Sequence, residues 1–265
     1  YIYLFLISYY YPHHHFLIEQ NSFRTLFTMP TLKVYADRMS QPSRAVILFC
    51  KLNGIEFEEI RVDLSKRQHR RKEFSAINPL KKVPAIVDGT FKLFESHAIL
   101  IYLACSFPGV SDHWYPSDPS KRARMHSILD WHHTNLRQGA AGYVLNSTLG
   151  PALGLPVDEA AAGKAEKALV DSLGALESVW LRGDAEFVNG GKHPSIADLS
   201  LVCELMQLEV VDEGEKKRIM GPFVKVKEWM KKTRDATNPQ FDEVHGVLHR
   251  AKKKFREQRN LRSKM

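Results

Sequence analysis

After residue 30 the chain begins with short runs in which apolar and polar residues alternate. Leu32-Lys33-Val34-Tyr35 alternates as a β-strand does, and the apolar positions between 45 and 52 then recur at helical spacing behind Pro42. The resulting order β-α-β-(α)-β-β-α predicts a small α/β unit with a mixed sheet over 30–107. Strands are predicted at 32–35, 57–62, 83–87 and 90–94, helices starting near 42 and 95, and a helix or a loop at 65–73. Asp88-Gly89, between the last two strands, predicts a hairpin with a type I′ turn.

Proline and glycine interrupt the pattern between 107 and 119, so we place an interdomain linker at 108–118. Beyond the linker, helical periodicity dominates, and 119–265 is predicted to be an all-helical domain with a basic C-terminal extension. Ser195-Ile196-Ala197-Asp198 has the form of a capping box, which indicates a structural role. The periodic stretches lie at 120–145, 157–182, 196–208, 223–233 and near 241–255.

Composition adds a broad class to this outline. The chain has 265 residues, 44% of them hydrophobic and 26% charged, which is typical of a soluble globular protein. Cys50, Cys105 and Cys203 lie far apart in apolar helical stretches, so we expect buried structural thiols and no metal site.

The net charge of +8 is concentrated at the C-terminus, where 251–265 holds seven basic residues and one acidic residue. We interpret this tail as a solvated helix end. Contact with nucleic acid or an anionic surface is the alternative, but no basic motif interleaved with aromatic residues supports nucleic-acid binding.

Residues 1–28 differ from the rest of the chain. They are rich in aromatic residues and carry three adjacent histidines, but they lack the basic start and the cleavage site of a secretory signal. Their apolar run is also too short to cross a membrane. We expect 1–28 to be a disordered extension of translated upstream sequence that contributes no part of the fold and no metal site.

Two positions in the first unit have both a structural and a chemical interpretation. Ser40 or Gln41 suits the N-cap of the helix that begins near Pro42. Pro84 stands at the start of a predicted strand, where it is either a trans proline on an edge strand or the second half of a cis Val83-Pro84 bond. The cis alternative would leave the backbone of Val83 free to pair with a ligand.

Three stretches of this sequence resemble the theta class of glutathione transferases, and the plant members most closely: YADRMSQPSRAVILFCKLNGIEFE, INPLKKVPAIVDGTFKLFESHAILIYL and HPSIADLS. The resemblance runs from about Met29 to the C-terminus. It implies the glutathione transferase fold, with a thioredoxin-like α/β N-terminal domain and an all-α C-terminal domain. It also implies a homodimer, and glutathione as co-substrate with no other cofactor and no metal.

The same resemblance assigns a glutathione site. It makes Ser40 the catalytic residue, whose hydroxyl donates a hydrogen bond to the glutathione thiolate, and we prefer Ser40 to Tyr35 as this donor. The helix that follows Ser40 favours an anion at its N-terminus. The resemblance places Val83 against the cysteinyl backbone of glutathione. The remaining implied contacts are Gln41 beside Ser40, His69, Arg70 and Lys82 at the glycine end, and Glu95 and Ser96 at the γ-glutamyl end.

The acceptor substrate is expected between the Ser40 loop and the first long helix of the second domain, near Arg137 and Trp131. The implied reactions are conjugation of glutathione to electrophiles and glutathione-dependent reduction of organic hydroperoxides, both of which serve detoxification. A protein that keeps this fold as a non-catalytic binding scaffold is the alternative.

Localisation is expected to be cytoplasmic or peroxisomal. The final tripeptide Ser263-Lys264-Met265 resembles the peroxisomal Ser-Lys-Leu signal but departs from it at the last residue. The upstream basic residues leave the nucleus as a third destination, and no membrane partner is expected.

Overall fold

The computed structural model describes residues 31–152, 154, 156 and 158–262. Its N-terminal part contains a four-stranded sheet in the order β2-β1-β3-β4. Strand β1 pairs in parallel with β2 and antiparallel with β3, and β3 pairs antiparallel with β4, which confirms the predicted mixed sheet. The strands are β1 (Leu32–Ala36), β2 (Phe57–Arg61), β3 (Ala85–Asp88) and β4 (Phe91–Phe94).

Helix α1 (Gln41–Leu52) follows β1, and helix α3 (Ser96–Ser106) follows β4. The ambiguous basic stretch between β2 and β3 forms a 3₁₀ turn, Gln68–Arg70, and one turn of α-helix, α2 (Lys72–Ser75). The helix that was predicted on one apolar face is in fact buried all round, because every residue from Ser43 to Cys50 is buried.

The β3–β4 hairpin is where Asp88-Gly89 predicts it, but its turn type differs. Asp88 pairs with Phe91, so the two loop residues are Gly89 and Thr90. A type I′ turn needs positive φ at both loop positions, and here only Gly89 has it, at 61°. The β-branched side chain of Thr90 disfavours a positive φ, so the predicted type I′ turn is wrong.

The C-terminal part is all-helical, as predicted. The helix predicted over 120–145 breaks at Asn135, whose φ and ψ are −125° and −81°, and the pattern missed the helix that starts at Glu213. The helices are α4 (Pro119–Thr134), α5 (Leu136–Val144), α6 (Gly150–Ala152), α7 (Glu159–Ala175), α8 (Ile196–Leu205), α9 (Glu213–Met220), α10 (Val224–Thr237) and α11 (Gln240–Arg262); π-helical turns span Leu145–Leu149 and Leu176–Trp180, and a 3₁₀ segment spans Met206–Val210.

Helix α8 is the centre of the second domain, since all ten of its residues are buried. It begins with the predicted capping box, in which the Ser195 and Asp198 side chains satisfy the free backbone N–H groups of the helix start. The Asp198 carboxylate also accepts hydrogen bonds from the Val188 backbone and the Trp229 indole, both at 2.8–2.9 Å. One carboxylate therefore joins the start of α8 to a preceding loop and to α10.

Helix α5 packs unusually close to α7. A Cβ at Gly139 would lie 2.4 Å from the backbone nitrogen of Leu169, so only glycine allows this approach. The contact holds the start of α5, which carries Arg137, against the rest of the helical domain.

The remaining sequence predictions concern the cysteines, membrane-spanning segments and the two ends of the chain. Cys50 and Cys203 are buried as predicted, but Cys105, near the end of α3, is exposed, so its assignment as a buried thiol is wrong. No helix among the described residues is long and apolar enough to span a bilayer. The predictions for 1–28 and for the C-terminal tripeptide fall outside the described residues.

Candidate active site

A cleft of about 120 Å³ lies where the two domains meet. The segment that precedes β3, helices α1 and α3, and the helical domain each contribute to its wall. The lining residues are Pro42, Ala45, Asn78, Lys82, Val83, Pro84, Glu95, Ser96, His132, His133, Arg137, Ser200 and Glu204.

Ser40 is the N-cap residue of α1, two positions before Pro42 of the cleft wall. Its backbone is extended, with φ −80° and ψ 126°, and its side chain makes no capping hydrogen bond. The residue as a whole is buried. A serine that occupies the cap position without using its hydroxyl as the cap leaves that hydroxyl available to a ligand at the helix N-terminus.

The loop before Ser40 is held by Asp37. The Asp37 carboxylate accepts hydrogen bonds from the backbone N–H groups of Met39, at 2.9 Å, and Leu64, at 3.0 Å. The Asp37 carbonyl accepts from the Ser40 N–H at 2.8 Å. The position of Ser40 is therefore tied to the segment that follows β2.

The Val83-Pro84 peptide bond is cis, which decides between the two alternatives left open by the sequence. Both residues line the cleft, and the strand ladder begins only at Ala85. The side chain of Asn78 shapes the preceding loop, because it donates to the Lys82 carbonyl at 2.7 Å and accepts from the Leu80 N–H at 2.9 Å. The backbone of Val83 thus stands at the cleft wall ahead of the sheet.

Glu95 and Ser96 form the opposite end of the cleft. Glu95 has φ 70° and ψ 113° at the N-cap of α3, a conformation that costs a non-glycine residue about 1–3 kcal/mol and that concentrates at functional sites. It turns the chain so that the first turn of α3, with its free N–H groups, begins at Ser96 in the cleft wall. That arrangement favours an anionic group beside Ser96.

A chain of polar side chains lies behind Ser96. The ring nitrogens of His97 and His132 are 3.1 Å apart, and His132 is 3.3 Å from a carboxylate oxygen of Glu204. Arg137 donates to the same Glu204 oxygen at 2.7 Å, and its side chain is one-third exposed on the cleft. The chain links helices α3, α4, α5 and α8 beneath the cleft.

The charges of this chain are set by burial and by pairing. Complete burial alone would raise the pKa of the Glu204 carboxyl, but the hydrogen bond from His132 and the charge of Arg137 lower the pKa below its usual value. Burial, together with His132, His133 and Arg137, lowers the pKa of His97 to about 2. At neutral pH, Glu204 is therefore an anion and His97 a neutral imidazole.

Not every residue expected at the site lines this cleft. Lys82, Val83, Glu95, Ser96 and Arg137 do. Of the others, Ser40 and Gln41 are its immediate neighbours along α1, and Trp131 packs on Trp180 with ring centroids 5.9 Å apart. His69 and Arg70 lie in the 3₁₀ turn before α2.

His69 is a neutral group. Partial burial and the charges of Arg70 and Arg67 lower its pKa, and its buried Nδ1 atom has no hydrogen-bond partner in the described part of the chain. A carboxylate brought to this turn would therefore meet a neutral imidazole N–H beside two cations. Among the described residues, no group of histidine, cysteine and acidic side chains has the arrangement of a metal site.

Four polar residues of the cleft wall were not predicted from the sequence: Asn78, His133, Ser200 and Glu204. They carry no local signal. Glu204 stands in an apolar helix pattern, 67 residues from Arg137, and only the packing of α5 against α8 brings the two together.

A second cavity, of about 300 Å³, borders the same Ser40 loop. It lies between that loop, strand β2 and helix α11. Its lining residues are Ala36, Asp37, Arg38, Met39, Glu59, Arg61, Val247 and Arg250.

Comparison with known proteins agrees with this geometry. The family model for the glutathione S-transferase N-terminal domain matches residues 30–105, and the model for the C-terminal domain matches residues 158–232. Glutathione S-transferase T1 of Arabidopsis thaliana is 62% identical over 233 residues, which cover 88% of this chain and 95% of that protein. This chain belongs to the glutathione S-transferase family. Within the family it is a plant-like theta-class member, and it is an enzyme of the glutathione transferase type.

Other relatives and solved structures support this assignment. Glutathione S-transferase T2 of Arabidopsis thaliana is 63% identical over 87% of this chain, a match that spans 39% of that longer protein. Human glutathione transferase theta-2, solved in complex with glutathione and an unknown ligand, superposes with a TM-score of 0.77 at 34% identity, over 86% of this chain and 91% of that one. The human T1-1 apo form gives a TM-score of 0.77 at 38% identity, over 84% and 91%.

The neutral His97 makes this transferase sensitive to acid. The unfolded chain binds a proton at His97 near pH 6.5, whereas the folded protein binds it only near pH 2. The free energy of unfolding should therefore fall as pH falls below 6.5, by up to about 1.4 kcal/mol per pH unit from this group. Urea unfolding between pH 7 and pH 5 measures this slope. His97→Gln should remove the contribution of His97 to the slope, which corresponds to at most one bound proton.

The exposed His126 on α4 provides the matched control, because His126→Gln removes an imidazole from the surface. This control should keep the wild-type slope. An unchanged slope in His97→Gln would show that His97 does not carry this acid sensitivity.

Proposed function

We propose that this transferase activates glutathione through the hydroxyl of Ser40. The observation that carries the proposal is the N-cap geometry of α1, where the Ser40 hydroxyl makes no capping bond and stands at a helix N-terminus beside the cleft. The cis Val83-Pro84 bond and the Glu95-Ser96 helix start lie in the wall of that cleft. Together these features offer contacts for the backbone, the carboxylate and the thiol of a bound tripeptide.

In this proposal glutathione lies across the cleft. Its γ-glutamyl carboxylate binds the first turn of α3 at Ser96, and Glu95 receives the α-ammonium group. Its cysteinyl backbone pairs with Val83 as an added strand does. Its glycine carboxylate lies toward Lys82, and His69 in the adjacent 3₁₀ turn donates to that carboxylate as a neutral imidazole.

The thiol then meets the Ser40 hydroxyl and the N-terminus of α1. A free cysteine thiol has a pKa of about 8.5, so little of it is thiolate at pH 7. A decrease of about two units makes the thiolate dominant and corresponds to about 2.7 kcal/mol. One charge-assisted hydrogen bond of about 1.5–3 kcal/mol and a helix-terminus contribution of about 0.3–1 kcal/mol together give a range that includes this value.

The resulting thiolate serves two reactions. In conjugation, the sulfur attacks an electrophilic carbon and displaces its leaving group. In hydroperoxide reduction, the sulfur attacks the terminal oxygen, the O–O bond breaks to give an alcohol and a glutathione sulfenic acid, and a second glutathione converts the latter to disulfide and water. Both reactions need the same thiolate, so we expect one enzyme to carry out both.

Ser40→Ala should lower the turnover number for an aryl halide and for cumene hydroperoxide together, by about 10²-fold, as loss of one preorganised donor to a developing or bound anion does. Retention on immobilised glutathione should persist, because the other contacts remain. Steady-state kinetics with both substrates and a glutathione-affinity column measure these effects. A scaffold without catalysis would show neither activity in the wild-type protein.

Ser43→Ala is the matched control. Ser43 lies three residues further along α1, is fully buried, and its hydroxyl has no hydrogen-bond partner in the described residues. Its loss should leave both activities near wild type. Full activity in Ser40→Ala would overturn the assigned role of Ser40.

We place the acceptor substrate in the second cavity. Met39 and Val247 are its larger apolar side chains within a mostly charged lining, and Met39 directly precedes Ser40. From the sequence, the acceptor was expected between the Ser40 loop and the first long helix of the second domain, near Arg137 and Trp131. Arg137 lies instead in the cleft with Ser96, and Trp131 packs on Trp180. We therefore assign Arg137 to the glutathione side and α11 to the acceptor side.

Val247→Trp should fill part of this cavity and raise KM for a bulky electrophile, with little change in KM for glutathione. His249→Trp places the same ring on the exposed side of α11 and serves as the control, with both constants near wild type. Initial rates over a matrix of both substrates separate the two constants. An equal change in both constants for Val247→Trp would contradict this placement.

We also propose a homodimer in which the first domain of one protomer contacts the helices of the other. Leu80 and Phe91 on the first domain and Val170 and Val179 on the helical domain are exposed apolar side chains. Such residues on two surfaces suit a two-fold interface that joins unlike faces.

Phe91→Glu should therefore shift the protein toward monomer in analytical ultracentrifugation. His249→Glu, which places an acid at an exposed polar position of α11, should keep the wild-type mass. A wild-type protein that sediments as a monomer at micromolar concentration would exclude the dimer.

A further inference from the structure

Arg44, in the first turn of α1, is a guanidinium with no solvent exposure. Its Nη1 atom donates to the carbonyl oxygens of Arg38, at 2.9 Å, and Met39, at 3.2 Å. Its Nη2 atom donates to the Cys203 carbonyl at 2.8 Å and to the Gln207 side-chain oxygen at 2.9 Å. One side chain thus holds the loop before Ser40 and the end of α8, which is 159 residues away.

Burial of this group is costly, so its four acceptors are needed for the folded state. Burial lowers the pKa of Arg44 to about 10, so the side chain stays charged at neutral pH. All four partners are neutral oxygens, and the carbonyls near the C-terminal end of a helix such as α8 run short of intrahelical donors. A cation near the C-terminal end of a helix is favourable, and the four hydrogen bonds compensate part of the cost of its desolvation.

Only the planar fork of arginine fits this arrangement. Its two terminal nitrogens point to different segments, one to the loop and one to α8. A lysine ammonium concentrates its donors at one atom and cannot span both sets. The site thus requires the shape of the guanidinium as well as its charge.

The two loop carbonyls that Arg44 holds belong to the residues immediately before Ser40. The Ser40 side chain makes no cap bond of its own, so its direction is set by the backbone of this loop. Arg44 is also one helical turn from Ser40, since its own N–H donates to the Ser40 carbonyl at 3.1 Å. The orientation of the hydroxyl and the local positive field thus depend on the same residue.

We propose that Arg44 is a positioning residue for Ser40: it clamps the loop that carries the hydroxyl to helix α8 of the second domain and so aims the hydroxyl at the glutathione sulfur. The proposal rests on the role of Ser40 proposed above. It implies that the helical domain takes part in thiol activation through α8, and not only in acceptor binding.

The test separates thiolate stabilisation from peptide binding. Arg44→Lys keeps a charge but loses the fork, and Gln207→Met removes one acceptor on the α8 side and leaves both loop bonds intact. For each folded variant, ultraviolet absorbance of bound glutathione against pH gives the pKa of the bound thiol. The affinity for S-methylglutathione reports binding without a thiolate.

In Arg44→Lys we expect the pKa of the bound thiol to rise by about one unit, which is tenfold less thiolate at neutral pH. The turnover number should fall by about 10- to 100-fold, because a displacement of a catalytic group by about 1 Å has an effect of that size. The affinity for S-methylglutathione should change little. Gln207→Met should change the thiol pKa in the same direction by less. This variant decides the question if Arg44→Lys fails to fold.

Two results would overturn the proposal. One is an unchanged thiol pKa in the folded variants. The other is a parallel loss of S-methylglutathione affinity and turnover, which is what general damage to the fold produces. Ser40→Ala, measured alongside, should raise the thiol pKa; if it does not, the role of Ser40 itself is wrong and this inference falls with it. Ser43→Ala should match wild type in every measurement.

Discussion

The burial of α1 on every side, from Ser43 to Cys50, is the constraint on which the rest of this structure depends. A surface helix normally presents one polar face to water, but every residue from Ser43 to Cys50 is enclosed. The helix packs on α3 of its own domain and on α8 and α11 of the second domain. The start of α1 therefore cannot shift without moving both domains, and Ser40 inherits that fixed position.

This burial has a chemical consequence at the helix start. Two helices, α1 and α3, begin at the same cleft, as Pro42 and Ser96 in its wall show. Their N-terminal N–H groups carry partial positive charge, which stabilises anions. Glutathione has two such anionic groups, the γ-glutamyl carboxylate and the thiolate. Under the proposed function, the fold supplies much of the anion-binding capacity through its backbone, and the Ser40 hydroxyl directs it.

The floor of the cleft carries charge that is balanced internally. Glu204 neutralises Arg137 and accepts from His132, while His97 stays neutral. Burial penalises each charge alone, so the cluster is stable only as a set. This interdependence ties the geometry beside Ser96 to the packing of α5, held close to α7 by Gly139.

Local patterns were sufficient for most of the elements and for several of the residues that start them. The four strands, the first helix, the capping box at Ser195 and the alternatives at Val83-Pro84 are all visible in short stretches of sequence. The errors arose where one extra local fact was decisive. Thr90 excludes the type I′ turn, and Asn135 ends a helix that periodicity alone would continue. The exposed Cys105 shows that an apolar stretch does not determine which side chains of a helix are exposed to solvent.

By itself, then, the sequence determined the order of elements, the two-domain architecture and, through its resemblance to a family, the residues expected around a glutathione sulfur. The tertiary structure alone decided which distant groups share a charge or a cavity: Arg44 with the end of α8, Glu204 with Arg137, and the Ser40 loop with Val247. The reason is that periodicity reports only neighbours along one helix or strand, whereas burial brings together side chains far apart in the chain and forces each buried polar group to find its partner there.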